Sequence, residues 1–333
     1  MRLGIVTPAP PRTQFGNRVT ALRWARQLRS LGHRVEVTLR YDRQAWDALL
    51  ALHARRGHDA IVRFRNDYPE RPIILALTGT DLYQDLAVSA EARQSMALAD
   101  AIIVLQPESL RELPDQVTSR AHVVYQSVTL PRRAAAAAVD PARFAPRRHF
   151  DVMVVGHLRD VKDSMRTALA VRLLPRESRV RVLHCGSAMD ETYADQARRE
   201  LAENPRYRWL GEVPRWRVLL MLAQSQLFVH TSRLEGGANA LGEALVAGAP
   251  VLASDIPGNR GLLSADYPSL FPYGDTQALA HLISRAERES DFLQDLRDRC
   301  IQQQPLFTAE QERKSLASVL EAAVDRARAR CVA

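Results

Sequence analysis

The sequence predicts an α/β protein made of two doubly wound domains, each with a parallel sheet. Short apolar runs alternate with amphipathic stretches in both halves of the chain, and a stretch rich in Pro, Ala and Arg at residues 131–149 separates the two alternations. A length of 333 residues suits two domains that each bury a core. Because parallel strands need crossover connections, the alternation indicates sheets with helices on both faces.

The first half shows apolar runs of both strand and helix character. Gly32 is expected to end the first long helix. From the apolar patterns we expect helices at residues 17–31 and 49–56 and strands at residues 3–7, 35–39, 60–64, 73–77, 101–105 and 123–126.

The second half repeats the alternation. A capping box of Thr308 and Gln311 is expected to start a final helix that ends near Arg328. The other expected elements are strands at 151–155, 180–185, 207–210, 227–230 and 250–253, helices near 193–203, 215–223 and around Glu243, and turns at 156–163 and 255–261. The predicted divisions are a first domain at 1–130, a linker at 131–149, a second domain at 150–307 and a terminal helix at 308–333.

The composition is that of a soluble globular protein, with 46% apolar and 25% charged residues. No apolar run has the length of a membrane span, and no signal-peptide pattern is seen. Cys185, Cys300 and Cys331 form no C-x-x-C pair, so we expect a reduced, cytoplasmic chain without a membrane partner. Cys185 is expected at a strand end as a small apolar residue.

The net charge of +8 lies entirely in the first half. Residues 1–150 hold 22 Arg against 14 acidic residues, whereas residues 151–333 hold 24 basic and 24 acidic residues. The excess fits an anionic small substrate, and an Arg-rich surface without a ligand is the alternative. Nucleic acid is not expected as a partner, because the arginines are scattered among acidic residues and no nucleic-acid module appears.

Residues 227–263 are the most informative segment, because they read as strand, Gly-rich turn, helix and strand. Gly236 and Gly237 would let backbone N–H groups approach a phosphate beside a helix N-terminus. Glu235 and Glu243 are eight residues apart, which predicts that both point to one side of this helix. Carboxylates there suit the hydroxyls of a diol, so the segment predicts a nucleotide-sugar pocket. The alternative is an ordinary turn followed by a solvated helical Glu.

A second anion site is predicted in the loop that follows the first strand. Gly16 and Asn17 open a helix, and Arg12 and Arg18 bracket its N-terminus. The alternative is a Pro-rich connector with exposed arginines.

Several other chemistries are excluded by missing motifs. The sequence contains no Asp-x-Asp pair, no H-x-E with C-x-x-C, no P-loop, no G-x-S-x-G and no G-x-G-x-x-G after the first strand. We therefore expect no metal–diphosphate clamp and no dinucleotide cofactor, and treat a nucleotide sugar as a substrate.

The E-x7-E segment resembles the donor site of retaining glycosyltransferases of the GT-B fold, the family that includes sucrose-phosphate synthase and mannosyltransferases. In that family the first Glu lies by the sugar and the second holds the ribose. A G-R-L-x-x-x-K turn neutralises the diphosphate there; Lys162 matches its Lys, whereas His157 replaces its Arg. The resemblance implies either a protonated His157 or a contact from Arg159. It also implies a cleft between the two domains and a terminal helix that packs back on the first.

Seven phrases are more specific and resemble the selenosugar synthases of selenoneine biosynthesis over essentially the whole chain. They are LTGTDLY (77–83), IIVLQ (102–106), VVYQS (123–127), GHLRDVKD (156–163), RYRWLG (206–211), SRLEGGAN (232–239) and IPGNRGLL (256–263). His157 and Gly261 depart from the general GT-B pattern and fit this subgroup. The resemblance implies transfer from a UDP-sugar, UDP-N-acetylglucosamine in the first place, to the selenium of selenophosphate, which gives a 1-seleno-sugar.

The resemblance also implies a role for each candidate residue. Lys162, with Arg159 or His157, would stabilise the leaving diphosphate, Glu235 would bind sugar hydroxyls and Glu243 the ribose. The nucleotide sugar would further contact Gly156, Gly236, Gly237, Ala238 and Asn239, and the acceptor anion or sugar would contact Arg12, Gly16, Asn17, Arg18, Thr80 and Asp81. On residue type alone, Asp81 would instead cap the following helix.

Three alternatives stay open at this point. A conventional GT-B glycosyltransferase would use a hydroxyl or phosphorylated acceptor, a silent protein would bind nucleotide sugar without turnover, and an epimerase would need an acid or base that the sequence does not place. Glucose or N-acetylglucosamine as the donor sugar, the anomer, the fate of the phosphate and the oligomeric state are not determined by the sequence.

Overall fold

The computed structural model describes residues 1–13, 15–145 and 147–332. Gln14, Pro146 and Ala333, which fall in the predicted loop, linker and terminal helix, lie outside the described residues. The chain divides into two compact units. The first unit comprises Met1–Ser127, Glu235–Gly237 and Leu306–Ala333, and the second comprises Val128–Leu234 and Ala238–Pro305.

The first unit contains a parallel six-stranded sheet within the described residues, in the order β2-β1-β3-β4-β5-β6. The order reverses between β1 and β3, and ligands of such sheets bind beyond the carboxyl ends of strands at that point. Its strands are β1 (Arg2–Val6), β2 (Arg34–Thr38), β3 (Ala48–Leu52), β4 (Ile73–Ala76), β5 (Ala101–Val104) and β6 (Ala121–Val123). Its helices are α1 (Gly16–Ser30), α2 (His58–Asp67), α3 (Leu86–Val88), α4 (Ala90–Leu98), α5 (Asp115–Thr118) and the terminal α14 (Ala309–Val332), with a π-helical turn at Asp81–Asp85.

The second unit has the sheet order β12-β11-β10-β7-β8-β9, again parallel among the described residues. Here the order reverses between β7 and β10, so the turns after these two strands lie at the switch point. The strands are β7 (Phe150–Val155), β8 (Val180–Cys185), β9 (Tyr207–Trp209), β10 (Leu227–His230), β11 (Val251–Ser254) and β12 (Leu270–Phe271). The helices are α6 (Arg132–Val139), α7 (Arg166–Arg172), α8 (Glu191–Glu203), α9 (Arg215–Gln224), α10 (Asn239–Val246), α11 (Pro257–Leu263), α12 (Thr276–Arg288) and α13 (Ser290–Gln303). The prediction of two doubly wound α/β domains is confirmed.

Two predicted elements of the first half are wrong, because their types are exchanged. Residues 49–56 were expected to be helical, but Ala48–Leu52 is the central strand β3; residues 60–64 were expected to be a strand, but they lie in α2. Leu50 and Leu52 face one core cluster while Leu49 faces the cluster on the other side of the sheet. Burial on both faces of a parallel sheet therefore outweighs the helix propensity of a run of Ala and Leu.

The predicted turn at residues 255–261 is also wrong, since most of it is the helix Pro257–Leu263. Pro257 occupies the start of this helix, where its fixed φ is favourable and its missing N–H costs no hydrogen bond. The strand expected at residues 123–126 lies slightly earlier in the chain, at Ala121–Val123. Within the stretch expected to be a linker, the structure has the helix Arg132–Val139 and the buried Arg143.

The terminal helix α14 packs within the first unit. Thr308 Oγ1 accepts a hydrogen bond from the N–H of Gln311 at 3.2 Å, as the capping box predicts. Leu316, Val319 and Leu320 of this helix lie in the same core cluster as α1 and the first sheet. Apolar burial therefore fixes α14 on that sheet.

Candidate active site

The turn at residues 156–163 follows β7 at the switch point of the second sheet. It contains a short 3-10 helix, Asp160–Lys162, and Asp163 ends it with a φ of 42°. The hydroxyl of Thr231, in the turn after β10, donates to the carbonyls of Lys162 at 3.1 Å and Asp163 at 2.9 Å. The two turns at the switch point are therefore joined by hydrogen bonds.

Arg233 adds a second link between these two turns. Its backbone N–H donates to the carbonyl of Val161 at 2.9 Å, and its guanidinium lies 2.9 Å from Asp160. Arg159 is exposed and Lys162 is half-buried in the same turn. Arg159 and Lys162 of one turn and Arg233 of the other thus place three basic residues on two hydrogen-bonded turns, which suits an anion such as a diphosphate.

His157 is held as a neutral imidazole. Its Nδ1 accepts from the backbone N–H of Ser187 at 3.2 Å and lies 2.8 Å from the Ser187 hydroxyl. Burial lowers the pKa of His157, and the neighbouring charge of Arg159 lowers it further. An acceptor at Nδ1 places the hydrogen on Nε2, so the side chain can donate a hydrogen bond but brings no charge at neutral pH.

The helical spacing expected to align Glu235 with Glu243 does not apply, because the two residues do not share one helix. The helix α10 begins at Asn239, and Glu235 precedes it in a loop segment, Glu235–Gly237, that belongs to the first unit. Helical periodicity therefore cannot align the two carboxylates.

The two glycines of this segment are required by close packing. A Cβ on Gly236 would lie 2.5 Å from the carbonyl of Thr78, and one on Gly237 would lie 2.4 Å from Cβ of Leu105. Both distances are shorter than any normal carbon contact. The Gly-Gly pair thus has a packing reason in the first unit, in addition to the phosphate contact that the sequence suggested.

The helix α10 starts without a side-chain cap. Ala238 occupies the N-cap position and makes no side-chain hydrogen bond, and Asn239 is the first helical residue. A side-chain cap would normally satisfy one of the first N–H groups. An anion can take that role at the start of α10.

Glu243 is 7% exposed and pairs with Arg215, whose Nε donates to Oε1 at 2.7 Å. Arg215 begins α9, so the pair joins the N-terminal end of α9 to the middle of α10. Arg215 was not among the predicted site residues, because 28 residues separate it from Glu243 in the chain.

Two further buried polar side chains belong to Ser232, in the turn after β10, and Asn259, in α11. The hydroxyl of Ser254 donates to the Ser232 carbonyl at 2.5 Å, and Nδ2 of Asn259 donates to the Ser254 carbonyl at 2.8 Å. Within the described residues, Oγ of Ser232 and Oδ1 of Asn259 are buried without a hydrogen-bond partner. Buried polar atoms of this kind are expected where a ligand or water completes the bonding. Ser232 lies in the polar turn two residues after β10, which was its only sequence signal, whereas Asn259 lies within α11 and had none.

In the first unit, the carboxylate of Asp81 is occupied by backbone donors. Oδ1 accepts from the N–H groups of Thr78 and Gly79, each at 2.8 Å, and Oδ2 accepts from Ala54 at 3.0 Å. Asp81 is fully buried. Its contacts are those of a residue that shapes the turn after β4.

Thr80 lies beside a histidine that sequence reasoning missed. Its Oγ1 is 3.2 Å from Nε2 of His53, which is buried and has a φ of 77°. Burial lowers the pKa of His53, although Asp81 and Asp85 act in the opposite direction. A left-handed backbone at a non-Gly residue is costly and often marks a functional turn. The only sequence signal was a His at the end of an apolar run that we predicted to be helical.

The predicted anion site of the first unit lies at the N-terminus of α1. The helix begins at Gly16, has no side-chain cap and carries no acidic residue in its first turn. Arg12 is exposed, while Asn17 and Arg18 are half-buried. Nε of Arg18 is buried and has no hydrogen-bond partner among the described residues. This end of α1 therefore has the electrostatic character of an anion site.

Neither a candidate membrane span nor a candidate metal cluster occurs among the described residues. None of their helices combines the length and the hydrophobicity of a membrane span. Likewise, across 1–13, 15–145 and 147–332, no three His, Cys, Asp or Glu side chains cluster as a metal site would require.

Comparisons with known proteins agree with this architecture. Anabaena Alr3699/HepE, solved in complex with UDP and glucose, superposes with a TM-score of 0.75 at 16% identity, covering 97% of this chain and 100% of that one. Sucrose-phosphate synthase from Thermosynechococcus elongatus gives 0.76 at 14% identity, with 96% and 98% covered. The pneumococcal O-GlcNAc transferase GtfA in complex with UDP and GlcNAc gives 0.62 at 14% identity, with 83% and 57% covered. At these identities the similarity shows the GT-B fold.

Part of the chain also matches a sequence family. Residues 141–306 match the family Glycosyl transferases group 1. This range contains the turn after β7, the turn after β10 and the helix α10. Within its GT-B fold, the chain is thus similar over residues 141–306 to the glycosyl transferases of group 1.

Proposed function

We propose that the protein is a glycosyltransferase that moves a sugar from a UDP-sugar to the selenium of selenophosphate. The observation that carries the transferase part is the match of residues 141–306 to glycosyltransferases of group 1. The selenium acceptor rests on the resemblance of seven sequence phrases to selenosugar synthases. Similar solved structures with UDP, UDP-glucose or GlcNAc support a nucleotide-sugar donor.

The diphosphate would be bound at the turn after β7. Because His157 is neutral, the positive charge there comes from Lys162 and Arg159. The imidazole would donate one neutral hydrogen bond from Nε2. Cations placed against the bridging oxygen stabilise the charge that develops as UDP leaves.

The ribose would be bound by Glu243. Arg215 holds one oxygen of this carboxylate, and the other oxygen would accept from the ribose hydroxyls. The backbone of Gly236 to Asn239 and the start of α10 would orient the sugar and its phosphate, with Glu235 on the sugar hydroxyls. This division of roles follows the family resemblance, and the uncapped N-terminus of α10 supports it.

The acceptor would be bound on the first unit, at the N-terminus of α1. Arg12 and Arg18 supply charge, and the unpartnered Nε of Arg18 supports a ligand at this place. Gly16, Asn17 and Thr80 would add polar contacts. Selenophosphate is a small multiple anion, which suits this end of the helix and the net charge of +8 in the first 150 residues.

The reaction balances without a general base. Selenium of selenophosphate attacks the anomeric carbon of the sugar, the bond from that carbon to the UDP oxygen breaks, and UDP leaves with the electron pair. Water then cleaves the Se–P bond and releases phosphate and the 1-seleno-sugar. Anionic selenium is already nucleophilic, so no His–carboxylate base is needed. We expect an oxocarbenium-like transition state, and no metal is needed in this scheme.

The test is mass spectrometry of a reaction with UDP-N-acetylglucosamine and fresh selenophosphate, run beside UDP-glucose, thiophosphate and acceptor-free controls. A product with the selenium isotope pattern and an equal amount of UDP is the expected result. UDP release without selenium transfer would contradict selenophosphate as the acceptor and would favour a conventional hydroxyl or phosphorylated acceptor. UDP binding without any turnover would contradict the enzyme assignment.

A further inference from the structure

We propose that His184 is a positioning residue of the diphosphate turn, which it controls by donating a hydrogen bond to the carbonyl of Gly156. This inference rests on the proposed function, because it requires that the turn after β7 bind the diphosphate. His184 was not among the predicted site residues, because it lies within the strand β8.

The hydrogen bonds of His184 determine its tautomer. The side chain is fully buried, with Nε2 2.9 Å from the Gly156 carbonyl oxygen and Nδ1 2.7 Å from the hydroxyl of Tyr207. A carbonyl oxygen can only accept, so the hydrogen must be on Nε2. Nδ1 then accepts from Tyr207, and both ring nitrogens are satisfied.

The groups around the imidazole keep it neutral. Burial lowers the pKa of His184 to about 4, and the hydrogen bond to Gly156 offsets only part of that effect. The Tyr207 hydroxyl, which faces Nδ1, also lies 3.5 Å from the sulfur of Met165, and neither group carries a charge at neutral pH. The donor on Nε2 is therefore fixed over the whole physiological pH range.

The Gly156 carbonyl is confined on a second side by Gly186. A Cβ on Gly186 would lie 2.0 Å from this oxygen, so a larger residue there would displace the turn. Since the peptide bond is planar, a fixed Gly156 carbonyl also fixes the direction of the N–H of His157. His184 thus sets the starting geometry of the segment that carries Arg159 and Lys162.

The experiment measures UDP and uridine binding to purified full-length protein by calorimetry and NMR titration. His184→Leu removes the donor, whereas His184→Gln can still place an amide N–H near the Gly156 oxygen. Tyr267→Phe is the matched control, because Tyr267 is a buried residue of the same unit whose hydroxyl donates to the Val251 carbonyl at 3.2 Å. Thermal unfolding of each variant shows whether it folds.

We expect His184→Leu to raise the Kd for UDP about tenfold, in line with one lost hydrogen bond, and to leave the Kd for uridine nearly unchanged. His184→Gln should recover most of the UDP affinity, and Tyr267→Phe should bind like the parent. A purely structural role would weaken both ligands equally and would not distinguish Gln from Leu. If His184→Leu does not fold, His184→Asn, which is too short to reach Gly156, takes its place against His184→Gln.

Two failures can be told apart. UDP binding that is equal in the parent and in all His184 variants would overturn the positioning role and leave the proposed function intact. A parent that binds no UDP would overturn the proposed function and, with it, the diphosphate turn. An imidazole nitrogen spectrum that shows the hydrogen on Nδ1 of His184 would overturn the positioning role without reference to any ligand.

Discussion

Nε of Arg215 lies 2.7 Å from Oε1 of Glu243. The pair joins α9 to α10 and leaves the Glu243 side chain largely buried, while the Arg215 side chain is 41% exposed. One oxygen is thereby held in place by the protein itself. Because this oxygen is already oriented, the carboxylate would need little reorientation to bind the ribose diol that we propose as its ligand.

The first prediction concerns this carboxylate. Glu243→Ala should raise the donor KM on the order of tenfold or more, because hydrogen bonds to a charged acceptor each contribute about 1.5–3 kcal/mol. The measurement is steady-state kinetics with varied UDP-sugar. Glu177→Ala, at an exposed Glu of the same unit, is the control and should behave like the parent. Equal donor KM values for both variants would rule out the ribose role.

The second prediction uses the two lysines of the chain. Lys162→Ala should mainly lower kcat, because a cation at the leaving diphosphate acts most strongly in the transition state. Lys314→Ala removes the other lysine, which is exposed on α14, and should leave kcat unchanged. Kinetics of the two variants with a common donor make the comparison. An unaltered kcat in a folded Lys162→Ala protein contradicts the assignment.

The third prediction concerns His157 and pH. Since burial lowers its pKa below the usual 6.5, His157 stays neutral from about pH 8 to about pH 7. Affinity for UDP-N-acetylglucosamine, whose diphosphate does not titrate there, should therefore remain constant across that interval. Calorimetry at both pH values tests this. Affinity that climbs as the pH falls, and does so only while His157 is present, would show that the imidazolium binds the diphosphate.

The fourth prediction concerns acid stability. His184 has a pKa of about 4 in the folded chain and about 6.5 when unfolded, so between these values the unfolded state binds the extra proton. Stability should fall by about 3 kcal/mol as the pH drops through that window. His184→Gln lacks this contribution, so its unfolding free energy should change less between pH 7 and about pH 4. Denaturant titrations of parent and variant give the difference, and equal slopes would count against a buried neutral His184.

The fifth prediction concerns the terminal helix. Glu312 is fully buried and accepts from Arg23 Nε and Trp24 Nε1, each at 2.9 Å, and from the hydroxyl of Ser127. Glu312→Ala leaves Arg23 without this partner and should destabilise the protein by about 3–5 kcal/mol. Glu310→Ala, exposed on the same helix, should change stability by less than about 0.5 kcal/mol. Chemical denaturation measures both, and similar values would contradict the role of Glu312.

The sequence alone determined the fold class, because each strand that is buried on both faces appears as a short apolar run. The strands Val180–Cys185 and Leu227–His230 were predicted with the bounds that the structure shows. It also placed Lys162 and the Gly-rich segment after the strands at residues 151–155 and 227–230, although the position of these strands at the switch point came only from the sheet order. These features depend on residues close together in the chain, and local pattern is enough to find them.

The tertiary structure decided what residues far apart in sequence do to each other. Ala48–Leu52 became a strand because it pairs with β1 and β4, although its composition favours a helix. Arg215 donates a hydrogen bond to Glu243, and backbone N–H groups donate to the carboxylate of Asp81. His184 donates to the carbonyl of Gly156, which is 28 residues away in the chain. Hydrogen bonds and burial act over a few ångströms in space, and only the folded chain sets which groups come within that distance.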